Sequence, residues 1–207
     1  MRNKIFFDLD GTLLDCRIRL YSLFQELSSN SNLSFDQYWQ IKRSGINQEK
    51  LLTKWLGYSL QDSSKFKKTW LEKVEDEKRL DLDAPYQFSG ELLEKLHNSY
   101  DLYIVTNRQS ESKAVRQINK FNWNKYLKDI LVTKQIINKT ELIEQNVQYS
   151  EDDIIITDTG EDIISGKKLG IKTIAIAHGF LSTDILQGYN PDVIFANLKE
   201  IYESNTL

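Results

Sequence analysis

The sequence predicts an α/β fold, a doubly wound parallel sheet into which a helical domain is inserted. Three observations predict it: strands alternate with helices after Pro85, those strands are almost continuously apolar, and no strand pattern occurs in residues 16–83. Apolar runs such as residues 154–157 (IIIT) are typical of a parallel sheet covered by helices on both faces. We therefore assign residues 1–15 and 84–207 to the core domain and residues 16–83 to the helical domain.

The predicted strands are short β-branched and aromatic runs that end at polar or turn-forming residues. They cover residues 4–8 (KIFFD), 102–106 (LYIVT), 130–133, 154–157, 173–177 and 193–195. Between and after them, apolar spacing predicts helices over residues 90–100, 111–121, 140–146, 161–169 and 197–202. This alternation implies parallel crossovers, so the carboxyl ends of the strands share one edge of the sheet.

The segment between the first two strands of the sheet, residues 16–83, is predicted to be helical. Four groups of apolar residues recur there at helical spacing, beginning with Leu20 and Leu23 and ending with Trp70 and Val74. Pro85 disfavours helix at the residue before it, so we expect residues 81–85 to be the linker that returns to the core.

Composition excludes several classes of protein. The 207 residues carry a formal net charge of -3, and acidic and basic residues are interleaved. No overall positive field is therefore present to attract nucleic acid, and we expect no nucleic-acid partner. One cysteine, Cys16, excludes an internal disulfide framework and fits a reducing compartment. No signal peptide and no apolar run of membrane-spanning length is evident. We expect a cytoplasmic monomer or homodimer without a membrane partner.

Polar residues follow the apolar strands where ligands bind to an open parallel sheet. They are Asp8, Asp10, Thr106, Asn107 and Asp158. Two carboxylates one residue apart repel each other unless a cation or a shared proton compensates them. Mg²⁺ is bound by one or two carboxylates together with waters and a substrate phosphate, so these residues predict a magnesium site. For a single acid such as Asp162, a helix N-cap is a competing interpretation.

Four segments resemble the motifs of one family. Residues 6–15 (FFDLDGTLLD) resemble the first motif of the haloacid dehalogenase superfamily, most of whose members are phosphatases. Residues 104–108 (IVTNR), 138–143 (NKTELI) and 154–163 (IIITDTGEDI) resemble its second, third and fourth motifs, in the family's order. The helical insertion lies where the phosphoglycolate phosphatase and β-phosphoglucomutase branch carries its cap domain.

The resemblance implies a Mg²⁺-dependent phosphatase that acts on a small phosphorylated metabolite. In that family the residue matching Asp8 forms an aspartyl-phosphate and the residue matching Asp10 is the general acid and base. The implied catalytic residues are Asp8, Asp10, Thr106 and Lys139, and the implied metal ligands are Asp8, Asp10 and Asp158. Gly11, Thr12, Asn107 and Arg43 would bind substrate, and Asp162 would hold the lysine or the metal shell.

Some alternatives stay open at the level of sequence. Thr157 replaces the glycine that usually precedes the fourth-motif aspartate, and Thr140 replaces a proline common after the third-motif lysine. Because Lys139 lies close to Asp158 in sequence, Lys134 competes with it for the active-site role. A phosphomutase and a non-catalytic phosphate-binding protein are alternatives to the phosphatase. Lys42 and Arg43 could meet a second anionic group of the substrate, but solvated residues at the end of a helix are a slightly better explanation of both.

Overall fold

A computed structural model describes residues 2–28 and 31–204 of the chain. Its strands are β1 (Lys4–Phe7), β2 (Leu14–Asp15), β3 (Ala84–Pro85), β4 (Asp101–Thr106), β5 (Leu127–Val132), β6 (Ile154–Thr157), β7 (Lys172–Ile176) and β8 (Val193–Phe195). Among the described residues, six of these form one parallel sheet in the order β5-β4-β1-β6-β7-β8. The strand order reverses between β1 and β6, which is where a doubly wound sheet binds ligands. The predicted fold class is confirmed.

Helices connect the strands and fill the insertion. They are α1 (Arg17–Leu27), α2 (Phe35–Arg43), α3 (Gln48–Lys50), α4 (Leu60–Lys73), α5 (Glu77–Leu80), α6 (Ser89–Leu96), α7 (Glu111–Lys120), α8 (Lys139–Asn146), α9 (Gly160–Leu169), α10 (Thr183–Gln187) and α11 (Leu198–Glu203). A π-helical turn, Leu51–Trp55, continues α3. Within the described ranges, no helix combines the length and apolar character needed to cross a bilayer.

Each face of the sheet carries its own apolar layer. Ile5 and Phe7 point into one buried cluster together with Ile156, whereas Phe6 and Ile155 belong to the cluster on the other face. Successive side chains of a strand alternate between faces, so a strand covered on both sides must be apolar at every position. This explains the continuous apolar runs in the sequence.

The insertion has an apolar cluster of its own. Phe24 and Tyr38 stack with ring centroids 4.5 Å apart, and Phe66 packs beside them. Phe180, from the loop after β7, reaches this cluster and lies 5.6 Å from the ring of Trp39. The helical segment therefore packs around its own core and contacts the sheet domain through that loop.

Two small elements were not predicted. The pair β2 and β3 forms a two-stranded antiparallel ribbon at the base of the insertion, where we expected a plain linker after residue 80. Helix α10 occupies residues for which no element was expected. Strands of two residues and a five-residue helix are too short to produce a readable hydrophobic period.

Candidate active site

The predicted catalytic residues converge at the carboxyl edge of the sheet. Asp8 directly follows β1, Asp158 directly follows β6, and Thr106 is the last residue of β4. The backbone N–H of Asp8 donates to the carbonyl of Ile156, which fixes the two strand ends side by side. A cavity of about 450 Å³ opens there and is lined by Asp8, Asp10, Thr106, Asn107, Lys139 and Asp162, among others.

Lys139 is the lysine that reaches Asp8. The side chain of Asn138 caps α8, so the helix begins at Lys139. The Nζ of Lys139 lies 2.5 Å from Asp8 Oδ1 and 2.6 Å from Asp162 Oδ2, and the side chains are 2%, 8% and 3% exposed respectively. The competing Lys134 instead pairs with Glu111 at the surface. The geometry therefore favours Lys139 for the role that the sequence left open.

Thr157 supports this arrangement. Its hydroxyl donates to Asp162 Oδ2 at 2.9 Å, and the same carboxylate oxygen accepts from Lys139. A glycine at this position would supply no such donor. The departure from the family pattern therefore adds a hydrogen bond that orients Asp162 against the lysine.

The buried charges at this edge are unbalanced. Burial, together with the nearby Asp162, raises the pKa of Asp8 to about 6 against the opposing effect of Lys139. Burial and the nearby Asp8 raise the pKa of Asp158 well above its usual value. Lys139 is itself held protonated, since Asp162 and Asp8 outweigh the lowering of its pKa by burial. Asp8, Asp158 and Asp162 are therefore three buried carboxylates at this edge, and Lys139 contacts two of them, Asp8 and Asp162.

That excess of negative charge fits a divalent cation. Asp8 and Asp158 would supply two hard oxygen ligands to such an ion, and the predicted third donor is the backbone carbonyl of Asp10, a set that suits Mg²⁺. Within the described part of the chain, no cluster of three or more Asp, Glu, His or Cys side chains is arranged as a metal site. The candidate set needs two side-chain carboxylates and leaves the other positions to water and substrate.

Asp158 is held by a tight cradle. Its Oδ1 accepts from the Thr12 hydroxyl at 2.9 Å and its Oδ2 accepts from the backbone N–H of Phe180 at 2.6 Å. A Cβ at Gly179 or Gly11 would collide with the Asp158 carboxylate. Thr12 therefore donates to Asp158 and Gly11 lies against the same carboxylate, and the prediction that these two residues bind substrate stays a prediction. Gly179 was not predicted as a site residue, because the need for a glycine there arises only from its close approach to Asp158, which the sequence does not reveal.

Asp10 lies between two buried arginines. Arg108 donates from Nε and Nη2 to its two carboxylate oxygens, both at 2.7 Å, and Arg19 Nη2 lies 2.5 Å from Oδ1. Burial alone would raise the pKa of Asp10, but Arg108 and Arg19 outweigh it and hold the pKa well below its usual value. Asp83 accepts from Arg19 at 2.8 Å and completes the network. The contact of Arg19 with Asp10 was not predicted, because no motif in the sequence indicates it.

Arg43 does not take the expected position. Its guanidinium donates to the backbone carbonyls of Gly179 and Ala177, both at 2.7 Å, so it joins α2 to the loop after β7 instead of lining the cavity. Its neighbour Lys42 does line the cavity, and burial lowers the pKa of Lys42 to about 8. Asn107 lines the cavity as expected.

Comparison with known proteins gives a consistent result. A family model described as haloacid dehalogenase-like hydrolase matches residues 5–176. A relative named pyrophosphatase PpaX, from Halalkalibacterium halodurans, is 24% identical, and the match covers 97% of this chain and 95% of that protein.

Solved structures share the fold along nearly the whole chain. A haloacid dehalogenase-like family hydrolase from Streptococcus pneumoniae superposes with a TM-score of 0.80 at 26% identity, covering 97% of both chains. The hydrolase YfnB from Bacillus subtilis, whose structure is described as bound to magnesium, gives a TM-score of 0.67 at 20% identity and covers 97% of both chains.

Proposed function

Because the chain belongs to the haloacid dehalogenase-like hydrolase family, we propose that it is a Mg²⁺-dependent phosphatase that acts on a small phosphorylated metabolite. The observation that carries this proposal is the buried contact of Lys139 with Asp8 and Asp162 at the edge where the strand order reverses. The relative named as a pyrophosphatase makes inorganic pyrophosphate one candidate substrate. Residues 16–83 would act as a cap, since Leu20, Lys42 and Trp70 line the cavity from that side.

Asp8 is the proposed nucleophile. A carboxylate oxygen of Asp8 attacks phosphorus, the bond from phosphorus to the leaving oxygen breaks, and an aspartyl-phosphate forms. Water then attacks the phosphorus of that intermediate, which releases phosphate and restores Asp8. The ammonium of Lys139 orients the carboxylate through Oδ1 and offsets charge as the phosphoryl group arrives. Thr106 lines the same cavity as Asp8, and its hydroxyl would donate to a phosphoryl oxygen.

Magnesium would be held by Asp8, Asp158 and the carbonyl of Asp10. When bound, it would neutralise charge on the phosphoryl oxygens and align the phosphoryl group with the nucleophile. Thr12 and the N–H of Phe180 each donate to one oxygen of Asp158 and so fix the orientation of its carboxylate. The cradle around Asp158 therefore serves the metal site.

Asp10 is the proposed proton carrier. The arginines hold it as a carboxylate, which is the form that accepts a proton from the attacking water in the second step. Donating a proton to a leaving alkoxide in the first step requires these contacts to loosen. Arg19 lies on α1 of the helical segment, so movement of that segment would release one of the two arginines.

Phosphate release from a panel of esters and from pyrophosphate, with and without Mg²⁺, tests the proposal. We expect metal-dependent release from at least one compound and its loss in Asp8→Asn. Asp36→Asn is the matched control, because Asp36 is an exposed carboxylate in the first turn of α2. Transfer of the phosphoryl group within a substrate, without free phosphate, would indicate a phosphomutase. If no compound reacts, including 4-nitrophenyl phosphate, the chain is a non-catalytic member of the family.

A further inference from the structure

Another cavity lies inside the helical segment, beside the catalytic one. It measures about 690 Å³, and we call it the ring pocket. Its walls come from α1, α2, the α3 region and α4, and include Tyr38, Gln48, Leu52, Ser63, Phe66 and Trp70. Lys42, Trp70 and Phe180 line both this pocket and the catalytic cavity, so the two spaces adjoin.

Four of the side chains that line the ring pocket are aromatic: Tyr38, Phe66, Trp70 and Phe180. Phe66 and Trp70 stack with ring centroids 5.8 Å apart at 21°. The hydroxyl of Tyr38 donates to Gln48 Oε1 at 3.3 Å. Aromatic side chains bind other planar rings in offset-stacked or edge-to-face geometry. The stacked rings of Phe66 and Trp70 therefore offer a flat surface against which the ring of a ligand would pack.

Two polar groups in the pocket have no partner in the described ranges. Gln48 Nε2 is buried without a hydrogen bond, and no ion pair is formed by Lys42 at the border of the two cavities. A buried donor without an acceptor is costly, and a ligand atom that accepts from it removes that cost. An apolar cavity with a few convergent polar groups is typical of a small-molecule site.

We propose that the ring pocket binds a planar ring carried by the alcohol portion of the substrate while its phosphoryl group lies at Asp8. This inference rests on the phosphatase function proposed above. An apolar cavity of about 150 Å³ accommodates benzene, so the larger ring pocket has room for a ring with polar substituents. The substrate class is therefore the phosphate monoesters of aromatic or heteroaromatic alcohols. Pyrophosphate carries no group that could fill this pocket.

Ethyl phosphate and 2-phenylethyl phosphate are the matched substrates. Both release a primary alkoxide, so a difference in kcat/KM measures binding of the ring and not leaving-group reactivity. We expect 2-phenylethyl phosphate to be favoured by at least about 10-fold, which corresponds to burial of a phenyl group. A ratio near one, with either ester hydrolysed, overturns the inference and leaves the phosphatase function intact.

Ser63→Phe places a ring inside the pocket from α4, because Ser63 is buried and lines it. The preference for 2-phenylethyl phosphate over ethyl phosphate should then fall to near one. Lys68→Phe is the matched control, since Lys68 lies on the same helix but is exposed and outside the pocket, and it should keep the wild-type preference. An unchanged preference in a folded Ser63→Phe protein overturns the inference. If Ser63→Phe does not fold, Ser64→Phe fills the pocket from its exposed side and is judged by the same ratio.

A binding measurement separates this inference from the proposed function. Trp70 lines the pocket, so its fluorescence reports a ligand there. We expect 3-phenylpropylphosphonate, which cannot be hydrolysed, to bind at least about 10-fold more tightly than propylphosphonate. Tighter binding without any phosphatase activity would support the pocket and refute the proposed reaction. Equal affinities would refute the pocket.

Discussion

Lys139→Met tests the buried charge arrangement most severely. The substitution keeps an unbranched side chain as far as Cε but removes the ammonium that contacts Asp8 at 2.5 Å and Asp162 at 2.6 Å. Removing one partner of a buried ion pair leaves an uncompensated charge and typically costs about 3–5 kcal/mol. We expect the free energy of unfolding at pH 7 to fall by that amount, as measured by urea denaturation followed by circular dichroism.

The pH dependence of that loss gives a second readout. Burial already raises the pKa of Asp8 to about 6, and without the lysine it should rise further. A carboxyl whose pKa is higher in the folded state than in the unfolded state binds its proton more tightly when folded, so stability increases as pH falls. The deficit of Lys139→Met relative to wild type should therefore shrink between pH 7 and pH 5.

Lys134→Met is the matched control. Lys134 is an exposed lysine that pairs with the exposed Glu111, and surface pairs contribute at most about 1 kcal/mol. Its stability and activity should stay close to wild type, whereas kcat of Lys139→Met should fall by at least about 100-fold. A Lys139→Met protein as stable and as active as Lys134→Met would refute the reasoning.

Three further predictions concern positions around the site. Burial lowers the pKa of His178 to about 4, so the unfolded chain takes up its proton first, and stability is lost as pH falls from 6.5 toward 4. In His178→Phe, the loss of unfolding free energy on acidification, measured by urea denaturation, should be smaller than in wild type by up to about 3 kcal/mol. The same dependence of stability on pH in both proteins would contradict this prediction. Gly179→Ala should displace Asp158 and raise the Mg²⁺ concentration for half-maximal activity by at least about 10-fold. Gly90→Ala is its control, because the nearest atom to a Cβ there is Trp123 Nε1 at 3.5 Å, an ordinary van der Waals contact, and equal Mg²⁺ dependence in both variants would show that Gly179 does not position Asp158. Arg19→Met should lower the free energy of unfolding by about 3–5 kcal/mol, and a loss below about 1 kcal/mol would show that the buried network does not stabilise the protein.

Much of the sheet could be predicted because burial on both faces imposes a simple pattern. Runs such as KIFF in β1 and IIIT in β6 are apolar at nearly every position, and polar residues follow where each strand ends. The positions of Asp8 and Asp158 follow from this pattern together with the parallel topology. Elements without such a pattern, the ribbon of β2 and β3 and the short α10, depend on tertiary contacts.

The contacts of individual site residues were harder to predict. A sequence motif indicates which residues gather at the edge of the sheet, but hydrogen-bond partners depend on distances between elements far apart in the chain. The double contact of Asp10 with Arg19 and Arg108 joins α1 to the loops after β1 and β4 in this way. Arg43 shows the same limit, because its partners are backbone carbonyls that carry no signal in the sequence.

The phosphorylated form of Asp8 is the direct test of the central claim. The protein is mixed with Mg²⁺ and a substrate from the panel, quenched in acid, and reduced with borohydride, which converts an aspartyl-phosphate to homoserine. Peptide mass spectrometry should locate homoserine at position 8 in the wild-type protein and at no position in Asp8→Asn. Steady release of phosphate with no modification at position 8, or modification of another carboxylate, would contradict the account.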